Sequence, residues 1–314
     1  KYINCKIKLT FSTKGPTLDN ELLLSKLDKF NVSFLNEKKT LNSSKNTITT
    51  YIYVLESFYE FIVESNSVNC LEDITKEVIL AFLNKEPKAS TNTRILRLAV
   101  LKSYFKYIDE QENLNGVFEL RFKKLTIKQE HKEVDALTED EQQRLLALFS
   151  KKSNSFNKTR DALLIKILLV TGIRASECLD IQRSDFTLIE DKTVYKIKIN
   201  GKGSKQRFVY IRSETIEYEL NFIRGHTKGY IAITNQKKRM SRIGLYSVIN
   251  NKMKKAHINK SGVHILRHTM ARNLVSNNCN LKTISELLGH ADIQLTARTY
   301  ARSNEENKIK AILV

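Results

Sequence analysis

His264-Ile265-Leu266-Arg267-His268-Thr269, followed by Leu288-Gly289-His290 and by Tyr300, carries most of the chemistry legible in this chain. His264 and Arg267 stand three residues apart, so on a helix both face one point in space. His268 points about 100° around the helix from Arg267 and reads as structural. Gly289 is expected to close a helix in the left-handed conformation, which turns His290 away from the helix body. Upstream, Thr171-Gly172-Ile173-Arg174-Ala175-Ser176-Glu177 adds a second arginine just after a helix break, with Glu177 placed to hold its guanidinium. Two guanidiniums that bind phosphate with fork geometry, imidazoles that move protons and a phenol nucleophile form a complete set for attack on a phosphodiester.

Charge points to the same class of partner. The 314 residues hold 53 Lys and Arg against 34 Asp and Glu, a net charge of +19 that favours a polyanion. Most of the excess lies late in the chain: residues 1–125 are net +4 and residues 126–314 net +15. Between Glu219 and Glu286 thirteen Lys or Arg occur without one carboxylate, a pattern that a merely solvated surface explains poorly. From this stretch Lys237, Lys238, Arg239 and Arg242 are expected to contact nucleic acid, together with Lys205 and Arg207. The four cysteines, Cys5, Cys70, Cys178 and Cys279, are scattered without metal spacing and read as reduced thiols of a cytoplasmic protein. No apolar run approaches the ~18 residues that span a bilayer, and no signal peptide is visible. The chain opens on Lys1 rather than Met, so it reads as a piece of a longer protein.

Periodicity predicts helices over Leu18–Leu35, around Ile48–Ile62, over Thr75–Leu83 and over Thr91–Ile108, which together make a small helical bundle. Asn113 to Asp135 is charged and weakly periodic, and reads as an extended linker containing the domain boundary. Thr138 and Glu141 match a capping box, and another helix runs from Arg160 to Val170. Val194–Ile199 and Phe208–Arg212 flank Gly201-Lys202-Gly203-Ser204-Lys205 as a β-hairpin with a cationic tip. Gly229–Thr234 is a candidate third strand. Helices follow over Leu245–Ala256, Leu266–Ser276, Leu281–Leu288, Gln294–Ala301 and Glu305–Leu313. The expected class is mainly α with a small antiparallel sheet. The divisions are an N-terminal extension (1–17), a helical domain (18–125), a linker (126–135) and a second domain (136–314) ending in a tail helix.

These residues, in this order, are similar to those of the tyrosine recombinase (phage-type integrase) family, by motif over about residues 138–302. The resemblance implies a helical, SAM-like core-DNA-binding domain followed by a catalytic domain. It further implies that Tyr300, ten residues after His290, attacks a DNA phosphate to leave a 3′-phosphotyrosyl bond and a free 5′-hydroxyl. Arg174, Arg267 and His290 would stabilise the transition state. His264 would accept the tyrosine proton or balance charge, and Lys202 would protonate the leaving oxygen, with Lys205 as its competitor. No metal, cofactor or ATP is implied. The expected partners are a specific double-stranded DNA site and three further copies in a synaptic tetramer, without a membrane. The expected setting is the bacterial nucleoid, in chromosome-dimer resolution by a Xer-like enzyme or in integration or excision of a mobile element. A type IB topoisomerase, a telomere resolvase and an inactive DNA-binding relative are the alternatives. The tail helix would dock on its own domain or, as the family resemblance favours, into a neighbouring subunit.

Overall fold

The computed structural model describes residues 18–65, 67–128, 135–201, 206–289, 294 and 296–297. Lys202, Lys205, His290, Tyr300, the N-terminal extension, the centre of the expected linker and the tail helix lie outside them. The chain divides into two compact units, residues 1–132 and 133–314. No helix among the described residues is long and apolar enough to cross a membrane.

The first unit is built from helices α1 (Leu18–Thr40), α2 (Lys45–Ser65), α3 (Lys76–Asn84), α4 (Thr91–Gln111) and α5 (Val117–Phe122). Val54, Leu55, Phe58 and Ile62 form one buried stripe on α2, the period that marks an amphipathic helix. Ser90 caps α4 by accepting from the backbone N–H of Thr93. Aromatic rings fill the centre: Phe105 lies 5.7 Å from Phe58, 4.7 Å from Phe118 and 5.3 Å from Phe122, between ring centroids. The last two contacts show that the charged Asn113–Asp135 stretch is not extended throughout: α5 falls within its first part and belongs to this core, inside the expected 18–125 domain. Six residues cannot hold a helix by propensity. Tertiary contacts do so here: Phe118 and Phe122 are buried, and Asp109 accepts from the backbone N–H groups of Phe118 (3.0 Å) and Glu119 (2.9 Å).

The second unit opens with α6 (Glu139–Ala147), whose capping box pairs Thr138 with Glu141. At its centre lies α7 (Phe156–Thr171), with Ala162 through Leu169 buried on every side except at Lys166. Such a helix must be enclosed, and the Lys166 ammonium is paired with Glu219 at 2.7 Å. Helix α8 (Ala175–Asp180) leads into antiparallel strands β1 (Phe186–Ile189), β2 (Val194–Asn200) and β3 (Gln206–Arg212), in the order β1-β2-β3. Tyr195, Ile197 and Ile199 point inward from β2, and Val209 and Ile211 from β3. Helices α9 (Ser213–Arg224), α10 (Arg242–Lys255), α11 (Val263–Ser276) and α12 (Leu281–Leu288) complete the unit.

Gly229–Thr234 is not the third strand. It makes only isolated bridges, Gln182 with Tyr230 and Ile233 with Arg239. Ile231, Ala232 and Ile233 are buried in succession, without the alternation of a sheet surface. The place beside β2 belongs to β1, which is four residues long and too short to show a period.

Candidate active site

The last carbonyls of an α-helix have no partner within the helix. At the end of α12 three consecutive carbonyls are each taken by a different arginine. Arg207 Nε donates to Leu287 O (3.1 Å), Arg267 Nη2 to Leu288 O (2.8 Å) and Arg174 Nη2 to Gly289 O (2.9 Å). The negative end of the helix dipole favours cations at this position. Gly289 closes α12 at φ 65°, ψ 45°, as expected from the sequence.

Arg174 reaches this point because α7 stops at Gly172, which adopts φ 61°, ψ 20°, and Arg174 then caps α8. A Cβ on Gly172 would lie 3.0 Å from Met270 Sδ and 3.1 Å from Leu288 Cδ2, so a side chain there would be strained by backbone angle and crowded by both neighbours. Arg267, on α11, is 5% exposed and donates from Nη1 to Gly172 O (2.7 Å), so it ties the ends of α7 and α12 together. Thr269, on the same helix, accepts from Leu137 N at 2.8 Å and anchors the start of the unit to α11.

Glu177 is buried and accepts from the Arg174 backbone N–H (2.7 Å) and from Arg174 Nη1 (3.1 Å). Arg207 grips both oxygens of the same carboxylate, at 2.7 and 2.8 Å. Burial pushes the Glu177 carboxyl upward, but the hydrogen bonds and charges of Arg207 and Arg174 outweigh it, and the group titrates below its usual range. Arg207 was expected among the DNA contacts; its guanidinium instead faces Glu177 and the end of α12. Arg239, expected beside it, donates to Leu179 O (3.1 Å), pairs with Asp180 and lies over the Tyr230 ring. Lys237, Lys238 and Arg242 are exposed.

His264 begins the turn before Arg267. Partial desolvation, then the charges of Arg267, Arg242 and Arg174, lower its pKa from 6.5. A ring held neutral among cations can accept a proton. His268 is pushed down to about 4, by burial first and then by His264 and Arg267. The unfolded chain therefore binds the His268 proton more strongly between pH 6.5 and about 4. Its contribution to stability is complete above 6.5 and is lost as the pH falls through that window. Denaturant unfolding is expected to show a smaller loss over this range for His268→Gln than for the wild-type chain. Superimposable pH profiles would show that this half-buried ring is not held neutral.

Comparison with known proteins follows the same lines. The model of the phage integrase family matches residues 135–307, and that of the phage integrase N-terminal SAM-like domain matches residues 33–112. The chain is 28% identical to tyrosine recombinase XerC of Herpetosiphon aurantiacus, covering 84% of this chain and 87% of the relative. It is 27% identical to tyrosine recombinase XerH of Campylobacter jejuni, over 87% and 80%. Among solved structures, a XerH site-specific recombinase bound to a palindromic difH substrate, after cleavage, superposes with a TM-score of 0.74 at 25% identity, over 93% of this chain and 84% of that one.

Proposed function

The chain belongs to the phage integrase family and is a tyrosine site-specific recombinase, a DNA strand transferase; on that footing we propose how its own residues carry the reaction. Tyr300 Oη attacks the scissile phosphorus and the bond to O5′ breaks, leaving a 3′-phosphotyrosyl link. The phenolic proton passes to His264, and Lys202 donates a proton to the departing O5′. Arg174, Arg267 and His290 neutralise the non-bridging oxygens as charge builds on them. The covalent link conserves the phosphodiester, so attack by a 5′-hydroxyl of the second duplex reverses the chemistry and completes exchange.

The observation that carries this reading is the meeting of Arg174 and Arg267 at the carbonyls of Leu288 and Gly289, one residue before His290. Guanidiniums from the N-cap of α8 and from α11 are thereby held at Leu288 and Gly289, next in sequence to His290. Exposed Lys237, Lys238 and Arg242 serve as backbone contacts to DNA, and four copies assemble on two duplex sites. The Xer relatives favour chromosome-dimer resolution, at the bacterial nucleoid, over movement of an element.

The binding site can be recovered by selection from random-sequence duplexes. Two duplexes of different length carrying it are then expected to yield recombinant lengths, with a chelator present and no nucleotide added. Relaxation of supercoils without exchanged products would favour a topoisomerase instead.

A further inference from the structure

Arg207 occupies a position unlike that of a DNA-contacting cation. The alternation of β3 sets it on the same face as Val209 and Ile211, with Phe208 and Tyr210 on the other. Its side chain is 15% exposed, and it makes a two-pronged pair with Glu177. Its Nε holds Leu287 O, and a Cβ on Gly289 would come within 2.9 Å of its guanidinium. The group therefore fills the space that only a glycine leaves below the turn into His290.

Charge makes the arrangement more than a buttress. Glu177 faces two guanidiniums and takes up one unit of positive charge. Arg207 occupies the fork, while Arg174 reaches a single oxygen by its side chain and keeps 40% of that side chain exposed. Without Arg207, a buried carboxylate would remain with one cationic partner, and a guanidinium prefers a two-pronged pairing with it. Arg174 would turn onto both oxygens, and the trio's net charge would fall from +1 to zero. We infer that Arg207 is a positioning residue: by neutralising Glu177 and clamping the end of α12, it keeps the Arg174 charge available to the scissile phosphate and sets the turn before His290.

This inference rests on the reading that Arg174 contacts that phosphate, and the test separates the two. Single-turnover cleavage is measured at saturating protein on a nicked duplex carrying the selected site. A matched duplex carries a scissile methylphosphonate, whose reacting group has no charge to neutralise. Arg207→Ala is expected to slow cleavage of the phosphodiester roughly 10- to 100-fold, by analogy with residues that orient a metal's protein ligands, with duplex affinity nearly unchanged. Adding Glu177→Gln should recover most of that loss, because the trio then regains +1. On the methylphosphonate duplex Arg207→Ala should differ little from wild type. A purely structural residue would show none of these recoveries, and the double variant would be the worse of the two.

Arg174→Ala is the control. If it cleaves the phosphodiester at the wild-type rate, the role of Arg174 itself is wrong. If it is impaired and relieved by methylphosphonate while Arg207→Ala is unimpaired, or impaired without either recovery, the positioning role is overturned. Should Arg207→Ala fail to melt cooperatively, Arg207→Lys carries the test. It keeps the charge and loses the fork, so the phosphodiester rate should fall less than tenfold; an equal loss on both duplexes overturns the proposal.

Discussion

Tyr300→Phe is expected to bind the selected duplex with unchanged affinity and to form no covalent complex with it. The substitution removes one oxygen, so the loss concerns the nucleophile and leaves the surface charge as it was. A phenol is only about 0.1% ionised at neutral pH, and the proposed site meets this by offering His264 as acceptor among three arginines. Removing a nucleophile in a concerted site lowers the rate by roughly 10⁴- to 10⁶-fold. A nicked suicide duplex followed on denaturing gels reads the effect directly. Adduct at the wild-type yield would move the nucleophile to another of the twelve tyrosines.

Arg267 and Arg174 are expected to part company when stability is measured alongside rate. Replacing either by alanine should slow cleavage by about 10²- to 10³-fold, the scale for losing one donor to a developing oxyanion. Arg267 is 5% exposed and bridges Gly172 O and Leu288 O, so its loss also removes a hydrogen bond from each of two buried carbonyls. Each such loss costs about 1–3 kcal/mol. Lysine at this position cannot span both oxygens and should recover little of either property. The Arg174 side chain is 40% exposed, and Glu177 keeps its Arg207 partner without it. Arg174→Ala should therefore change the unfolding free energy by less than ~1 kcal/mol. Equal destabilisation by the two variants would contradict the assignment of a structural role to Arg267 beyond the one it shares with Arg174.

The helices readable in the sequence are those long enough to show a period or marked by a cap. The α2 stripe, the Thr138 box and the glycines closing α7 and α12 all belong to that group. Helix α5 escaped because its two phenylalanines are a single pair, and Asp109, which caps it, sits in another helix. Helix α9 was passed over although Ile216, Leu220 and Ile223 are buried at helical spacing along it. Strand β1 pairs over four residues only. At the site, Arg174 and Arg267, from two separate motifs, meet at the end of α12. Arg207 was misread from its neighbourhood: beside a cationic hairpin tip it looked like one more surface charge. Its alternation with Val209 and Ile211 already turned it inward. The carboxylate it meets, Glu177, lies thirty residues earlier, and no local pattern links the two.

The clasp at the end of α12 also works as an indexing device. Its three guanidiniums come from the N-cap of α8, from β3 and from α11, and they engage three successive carbonyls. Sliding α12 along its axis by about 1.5 Å, the rise of one residue, would stretch all three contacts together. Traction on the chain beyond Gly289 acts first on the carbonyl that Arg174 holds. Any shift of Gly289 is thereby felt at Arg174, more than a hundred residues away in sequence.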